Sequence, residues 1–462
     1  MKAMTSVPME NNEVPVSRNL ERWILILAIV FISLAAFQTM AATTAMPYIV
    51  EILGGKHLYA LAAGIVFAAQ LMTTALAGPW VDARGPKPSF FTGATLALVG
   101  LTIAALAPNI EMIVVGRALQ GFGSGLLVVP LYVLVGNFIS KERQPRYFAA
   151  FATAWVIPAL VGPFLAGLLV EYLSWRWVFG FTPIVFFFIM PLAWTKFKEL
   201  PAHKNRQPIR ALNVFYLASG ASVGIAALLV ASSNKGQPDL KTLALLAIGI
   251  ILVTVFAPLL LPEGTFRARR GVPSTVLLRG TANGCLMAVE IYLPLILKEI
   301  HGWSATRAGF VLTMSAVSWA LASQLQGRIT DERRRNRIPY IGVAMQLIGT
   351  LIVFPAVLPS VTGIVVLIGW FIAGFGLGYL YPALTVHALA LTPLQRHGEI
   401  SAALQIADTL GAAFLIGLAG IAYALSAGLG TFSYGIPILL IIIILFGAVA
   451  LTNRIQPADN VG

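Results

Sequence analysis

Charge is scarce in this sequence. Asp, Glu, Lys and Arg make up 11% of its 462 residues, against 58% hydrophobic ones, and mean hydropathy is +0.85. A water-soluble chain of this length could not cover its surface with so few charges. There is one cysteine, Cys285, which excludes an intramolecular disulfide and a cysteine metal cluster. The five histidines, His57, His203, His301, His387 and His397, are scattered without a paired motif. Neither a metal site nor the clustered catalytic geometry of an intramembrane enzyme, such as an acyltransferase, is therefore expected. An ATP-binding motif and a soluble nucleotide domain are missing too, so no cofactor is expected and energy for work across a membrane would come from an ion gradient. With no soluble basic domain, the net charge of +13 points away from nucleic acid and toward the positive-inside bias of cytoplasmic loops. Met1 to Arg22 is too polar for a cleavable signal peptide, so it reads as a cytoplasmic tail ahead of a retained first span.

Apolar runs are what the chain has in quantity. Fourteen of them lie at about 23–49, 58–77, 89–107, 110–139, 147–170, 177–195, 211–231, 240–261, 275–297, 305–326, 338–358, 361–386, 400–424 and 433–452. Each can host a helix of about 20 residues across a bilayer, and the alternating strands of a membrane barrel do not occur. The expected fold is all-α, multi-pass in the cell (plasma or inner) membrane, with the lipid bilayer as its surroundings. With the N-terminus inside, the inner connections collect most Lys and Arg, from Arg84 and Lys87 through the basic link 196–210 to Arg333–Arg337 and Arg396. The outer ones hold only Lys56, Arg176, Lys235, Lys241 and Lys298. That asymmetry places both termini in the cytoplasm.

The chain also repeats itself. Gly78-x-x-x-Asp82 after the second span recurs as Gly327-x-x-x-Asp331 after the tenth, an offset of 249 residues. Gly116, Gly121, Gly123 and Gly125 in the fourth span recur as Gly369, Gly374, Gly376 and Gly378 in the twelfth, an offset of 253. The economical account is two pseudo-symmetric six-helix bundles, 23–195 and 275–452, with a basic link and two inserted helices at 196–274 and a tail at 453–462. Duplicated halves around a midplane site are a transporter architecture.

Within the fourth span, Arg117 and Gln120 place a guanidinium and an amide among apolar residues. Seven residues into the span, Arg117 lies about 10 Å deep, where a charge is costly and turns to a water-filled cavity or a partner. The link Gly78-Pro79-Trp80-Val81-Asp82-Ala83-Arg84-Gly85-Pro86-Lys87 combines turn-permitting glycines with an aspartate suited to a basic residue or a helix N-terminus. Such a contact, and its weaker copy at Gly327 to Asp331, would latch one conformation and break in the other.

These stretches carry a family resemblance. The Gly78–Lys87 link resembles the cytoplasmic signature loop of the major facilitator superfamily, and Arg117-x-x-Gln120-Gly121-x-Gly123-x-Gly125 is similar to its fourth-helix motif. In the fifth span Pro158-x-x-x-Gly162-Pro163-x-x-Ala166-Gly167 resembles the antiporter motif of its drug/proton exporters, with proline and alanine where glycines are usual. Ser174 to Pro183 and Phe37 to Pro47 are similar to signatures of the 14-span drug/proton antiporters. The resemblance covers nearly the whole chain. It implies a secondary active transporter, a monomer with protons and a small molecule as partners, that exports an amphipathic or cationic compound by alternating access. An importer, or a metabolite or lipid exporter with other coupling, is the alternative.

The 14-span branch typically carries an aspartate where this chain has Gln38, an amide that cannot titrate. Gln38 and Arg117 lie at a similar depth, so an amide–guanidinium hydrogen bond between them is expected. Glu290, within about a turn of the repeat partner of Gln38, is the expected substitute proton carrier, because apolar surroundings disfavour a charged carboxylate; the alternative is a glutamate neutralised by hydrogen bonds between helices. Glu290 would equally attract a cationic cargo. Asp408 in the thirteenth span is a second candidate on the pathway, or a polar contact in the bundle. Trp155 and Phe151 in the fifth span either line an aromatic cavity or serve as packing, while His387 reads as structural or topological. Gly121 and Gly125 suit close helix contact, and Gly162-Pro163, with Gly167, suits a kink.

Overall fold

Lipid offers no partner for backbone N–H and C=O groups, so an apolar segment crosses a membrane as a helix that satisfies its own. The computed structural model describes residues 17–140, 143–201, 212–234, 239–329, 331–393 and 396–456. The tail to residue 16, Lys141, the link residues Lys204, Arg206 and Arg210, Lys235 and residues 457–462 lie outside the described residues. The helices are α1 (Arg18–Ile52), α2 (Tyr59–Arg84), α3 (Pro86–Leu106), α4 (Ile110–Phe138), α5 (Gln144–Leu168), α6 (Arg176–Lys198) and α7 (Leu212–Ala231). They continue as α8 (Leu240–Leu260), α9 (Val272–Glu299), α10 (Ala305–Gly327), α11 (Glu332–Val353), α12 (Ile364–Ala390), α13 (His397–Leu425) and α14 (Gly435–Leu451). All fourteen are long and apolar enough to cross a membrane, and no strand occurs among the described residues. The chain is a multi-pass membrane protein.

One correction concerns the expected link at Gly78–Lys87. Gly78, Asp82 and Arg84 are the last two turns of α2, and the break is the single residue Gly85. Gly85 has φ +80°, a left-handed conformation that glycine adopts without a Cβ penalty, and Pro86 then opens α3. Hydropathy marks where the bilayer ends, and the helix continues past it. In the second copy Gly327 ends α10, and Asp331 caps α11 by accepting from the Arg334 N–H (2.7 Å).

Helix pairings recur eight helices apart. α1 packs on α5, α2 on α4, and α3 on α4 and α6; α9 packs on α13, α10 on α12, and α11 on α12 and α14. Glycine faces on α4 and α12 carry close backbone contacts. A Cβ on Gly116 or Gly123 would strike α3 backbone, and one on Gly121 or Gly125 would strike α2; Gly369 and Gly376 stand likewise against α11, and Gly374 and Gly378 against α10. Small residues let helix backbones approach where lipid provides no hydrophobic drive. The inserted pair differs: α7 seats on both α2 and α13, and α8 packs on α7 with little of its surface buried.

The start of α1 is tied to the start of α5 by Glu21 and Arg143 (2.5 Å). The start of α9 meets the end of α14, where the Gly271 N–H donates to the Arg454 carbonyl (2.9 Å). The other ends of α1 and α9 meet through Glu51 and Lys298. The ends of the described chain therefore share one face, the terminal face, and Glu51 and Lys298 mark the far face.

A proline inside a helix strips its partner from the carbonyl four residues earlier. Three such carbonyls are recovered by serines of neighbouring helices. Ser33 donates to Ala154 O (3.1 Å), freed by Pro158; Ser89 to Leu126 O (3.0 Å), freed by Pro130; and Ser323 to Gly378 O (2.9 Å), freed by Pro382. Ser89→Ala is expected to cost about 1 kcal/mol, the scale of interhelical hydrogen bonds in membranes. In a Pro130→Ala background, which restores the backbone donor, the loss should shrink toward zero in denaturant unfolding. Equal losses in both backgrounds would refute the cap.

Candidate functional site

α4 begins at Asn109, whose side chain accepts from the Met112 N–H (3.0 Å), and carries Arg117 two turns into the bundle, 2% exposed. Its Nη1 donates to Gln120 Oε1 (2.7 Å), one turn along the same helix, while Nε is buried without a partner. Gln38 on α1 is equally buried, but its amide donates to Val178 O (3.0 Å) and Thr182 Oγ1 (2.6 Å) on α6. Its Oε1 stays unpaired. The expected Gln38–Arg117 hydrogen bond is therefore absent, and the reason is azimuth. Arg176, at the start of α6, donates to Ala107 O (3.1 Å), just before α4 begins, so Thr182 and Arg117 both lie about 10 Å in. The level agrees, but Gln38 turns toward α6.

In the second half the corresponding positions do face one another. Glu290 lies 252 residues after Gln38, and Trp370 lies 253 after Arg117. Glu290 on α9 is 7% exposed, nine residues or about 14 Å from the far end of its helix, and the Trp370 indole on α12 stands beside its carboxyl. The indole nitrogen lies outside hydrogen-bond geometry, and no ion pair reaches Glu290 among the described residues.

Asp408 is the opposite case. On α13 it pairs with Arg279 of α9 (Nη2 to Oδ2, 2.8 Å), both side chains almost fully buried, and Tyr381 of α12 donates to the same oxygen (2.5 Å). Arg279 also donates to Thr385. Sequence reasoning missed Arg279, although it is the single cation within 275–297. Its partner lies 129 residues away, beyond any spacing signal. Trp155 is half-buried against the core of α1 and α3–α6, and Phe151 is fully buried against Tyr132 (5.1 Å). Phe151 is therefore part of the core. His387 holds Ile455 O (3.0 Å).

The contacts that join α1–α6 to α9–α14 gather at the far face. Lys298 reaches Glu51, Lys56 pairs with Glu299 (2.7 Å), Tyr48 donates to Trp303 O (3.0 Å), and Tyr59 donates to Ile291 O. α5 ends in a π-helical turn, Leu169–Leu173, whose Glu171 accepts from Thr306 Oγ1 (2.6 Å). Just before it, Gly167 stands against Ala305 and Thr306 of α10, and Gly309 of α10 against Pro163 O. A Cβ on Gly162 would make only ordinary contacts, with Phe37 at 3.4 Å. α5 runs unbroken through Pro158 and Pro163.

Residues 27–416 match the family model of the Major Facilitator Superfamily. The chain belongs to that superfamily. Among its facilitator relatives, a probable multidrug-efflux transporter of Mycobacterium tuberculosis is 24% identical over 408 residues, covering 84% of this chain and 85% of the relative. The multidrug efflux pump SdrM of Staphylococcus aureus is 23% identical, covering 88% and 91%. Among solved structures, a POT family transporter bound to a thioalcohol-conjugated peptide superimposes with a TM-score of 0.70 at 16% identity, covering 95% of this chain and 97% of that one. That likeness is one of fold. Facilitators move small molecules through a membrane, and this one is a multi-pass protein of the plasma membrane.

Proposed function

We propose that this facilitator is a proton-coupled exporter of a small amphipathic or cationic compound, working by alternating access as a single chain with both termini in the cytoplasm. The observation that carries proton coupling is the contrast between two buried acids. Asp408 has a resident cation, whereas Glu290 has an indole beside it and no cation among the described residues. Burying a carboxylate with no cation is costly, so a carboxyl in this position calls for a proton, water or a cationic cargo as its partner. Glu290 thus serves as the proton carrier. Arg117, Gln120 and Gln38 shape the first half's side of the pathway, where the orphaned Arg117 Nε and Gln38 Oε1 are the groups that await partners. Trp155 borders it, Asp408 lies deeper in the second half, and no catalysis is proposed.

The recurring helix pairs support two rocking bundles, 23–195 and 275–452, with 196–274 inserted between them. The far-face contacts support a state closed to the outside. Gly78, Asp82, Arg84, Gly85, Gly327 and Asp331, at the terminal ends of α2–α3 and α10–α11, form the gate that closes when the far face opens. The names of the relatives favour export of drug-like compounds. In proteoliposomes of the purified chain, an imposed pH gradient should drive ethidium transport, and a protonophore should abolish it. Transport indifferent to the gradient would overturn proton coupling in favour of another driving ion or facilitated flow.

A further inference from the structure

The Arg279–Asp408 cluster has no part in that proton cycle, yet it joins three helices through several buried polar contacts. Nε of Arg279 lies 3.1 Å from each Asp408 oxygen and Nη2 lies 2.8 Å from Oδ2. The guanidinium carbon sits 3.8 Å from the centroid of the Tyr381 ring. The indole of Trp319, on α10, meets that ring edge-on at 6.5 Å between centroids, and its nitrogen is buried without a partner. Asn283 fixes the backbone beneath, donating to Asp408 O (3.1 Å). A carboxylate beside aromatic faces is the chemistry that recognises an organic cation. Here one of the chain's own cations fills it.

We propose that Asp408, Tyr381 and Trp319 form a cation-binding site whose resident occupant is the Arg279 guanidinium, and that a lipophilic or planar monocation binds by displacing it. The proposal rests on the reading of this chain as an exporter of cationic compounds and names the seat of the cargo. Exchange of one monocation for another leaves Asp408 neutralised, so no bare charge is exposed at any stage. The displaced arginine has somewhere to go. Arg279 is seven residues into α9, about 10 Å from the terminal end, and its long stem lets the head reach water. Gln405, one turn before Asp408, is exposed, and an exposed amide within a span marks a wet surface. Tyr381, Thr385 and Asn283 around the cluster are only half-buried. A buried ion pair is itself a weak stabiliser, since desolvation offsets much of its attraction.

The test is equilibrium binding of tetraphenylphosphonium to the full-length protein in detergent. Arg279→Met removes the tethered competitor and should tighten binding by about tenfold or more. Adding Asp408→Asn should abolish the gain. Millimolar guanidinium should compete with tetraphenylphosphonium in Arg279→Met and not in the parent. Equal or weaker binding by folded Arg279→Met would overturn the proposal, because a purely structural pair predicts that outcome. Should that variant not fold, Arg279→Lys decides. Its compact ammonium forks and stacks less well, so binding should tighten severalfold, and unchanged or weaker binding would overturn the proposal. Binding needs no proton gradient, so a failed proton-coupling experiment leaves this result readable, and the reverse holds too.

Discussion

Glu290→Gln should abolish gradient-driven efflux while the protein inserts and folds normally. The amide has the shape of the protonated acid, and with no cation beside the carboxyl the substitution strands no charge. Folding should therefore be unchanged or slightly improved, because a neutral amide is cheaper to bury than a group that must ionise. Transport should split in two. Uphill efflux against a concentration gradient needs the proton to leave and should fall to background, whereas exchange of labelled for unlabelled substrate needs only the rocking motion and should persist. The pH dependence of transport should flatten with it. Unchanged coupling in energised vesicles would remove Glu290 from the mechanism. Asp408→Asn is not equivalent, since it leaves Arg279 buried without its counter-charge, and loss of a partner from a buried pair destabilises.

Gly309→Val should be as damaging by a different route. The new side chain would point at Pro163 O and the Phe164 N–H of α5, backbone atoms in a packed helix that cannot step aside. The far-face seal between α5 and α10 could then close only by displacing one helix, so the closed state should lose population on the order of tenfold or more. Transport should drop toward background. A cysteine placed at Ser304 should react faster with an impermeant maleimide, a clean readout because the native Cys285 is buried. Gly447→Ala on α14, with no atom within 4 Å of the added carbon, is the matched control and should behave as the parent. A Gly309→Val protein with parental transport and labelling would show that the α5–α10 contact is not part of the gate.

Much of the fold is legible in the sequence because the bilayer dictates the length of each crossing and the glycines repeat at a fixed offset. Helix ends are less so: Gly78 to Arg84 reads as a link because hydropathy falls there, while the α2 hydrogen bonds run on to Gly85. Of the candidate site, the burial of Arg117 and Glu290 follows from their position within apolar runs. Their partners do not. Rise along a helix predicts depth, and Gln38 and Arg117 agree in depth, but only packing decides that Gln38 turns to α6. Arg279 with Asp408, and Ser33 with the carbonyl that Pro158 frees, join residues 129 and 121 positions apart. Such pairs are products of tertiary structure and have no local signature.

The seat of α7 makes the two seams of the molecule unequal. At α5 and α10 the halves touch directly through glycine. At α2 and α13 a third helix lies across the join, with Leu229 against Gly64 and Ser232 against Gly420, and α8 behind it. A molecule dissolved in the bilayer and approaching sideways therefore meets a shuttered flank on one side and a bare one on the other.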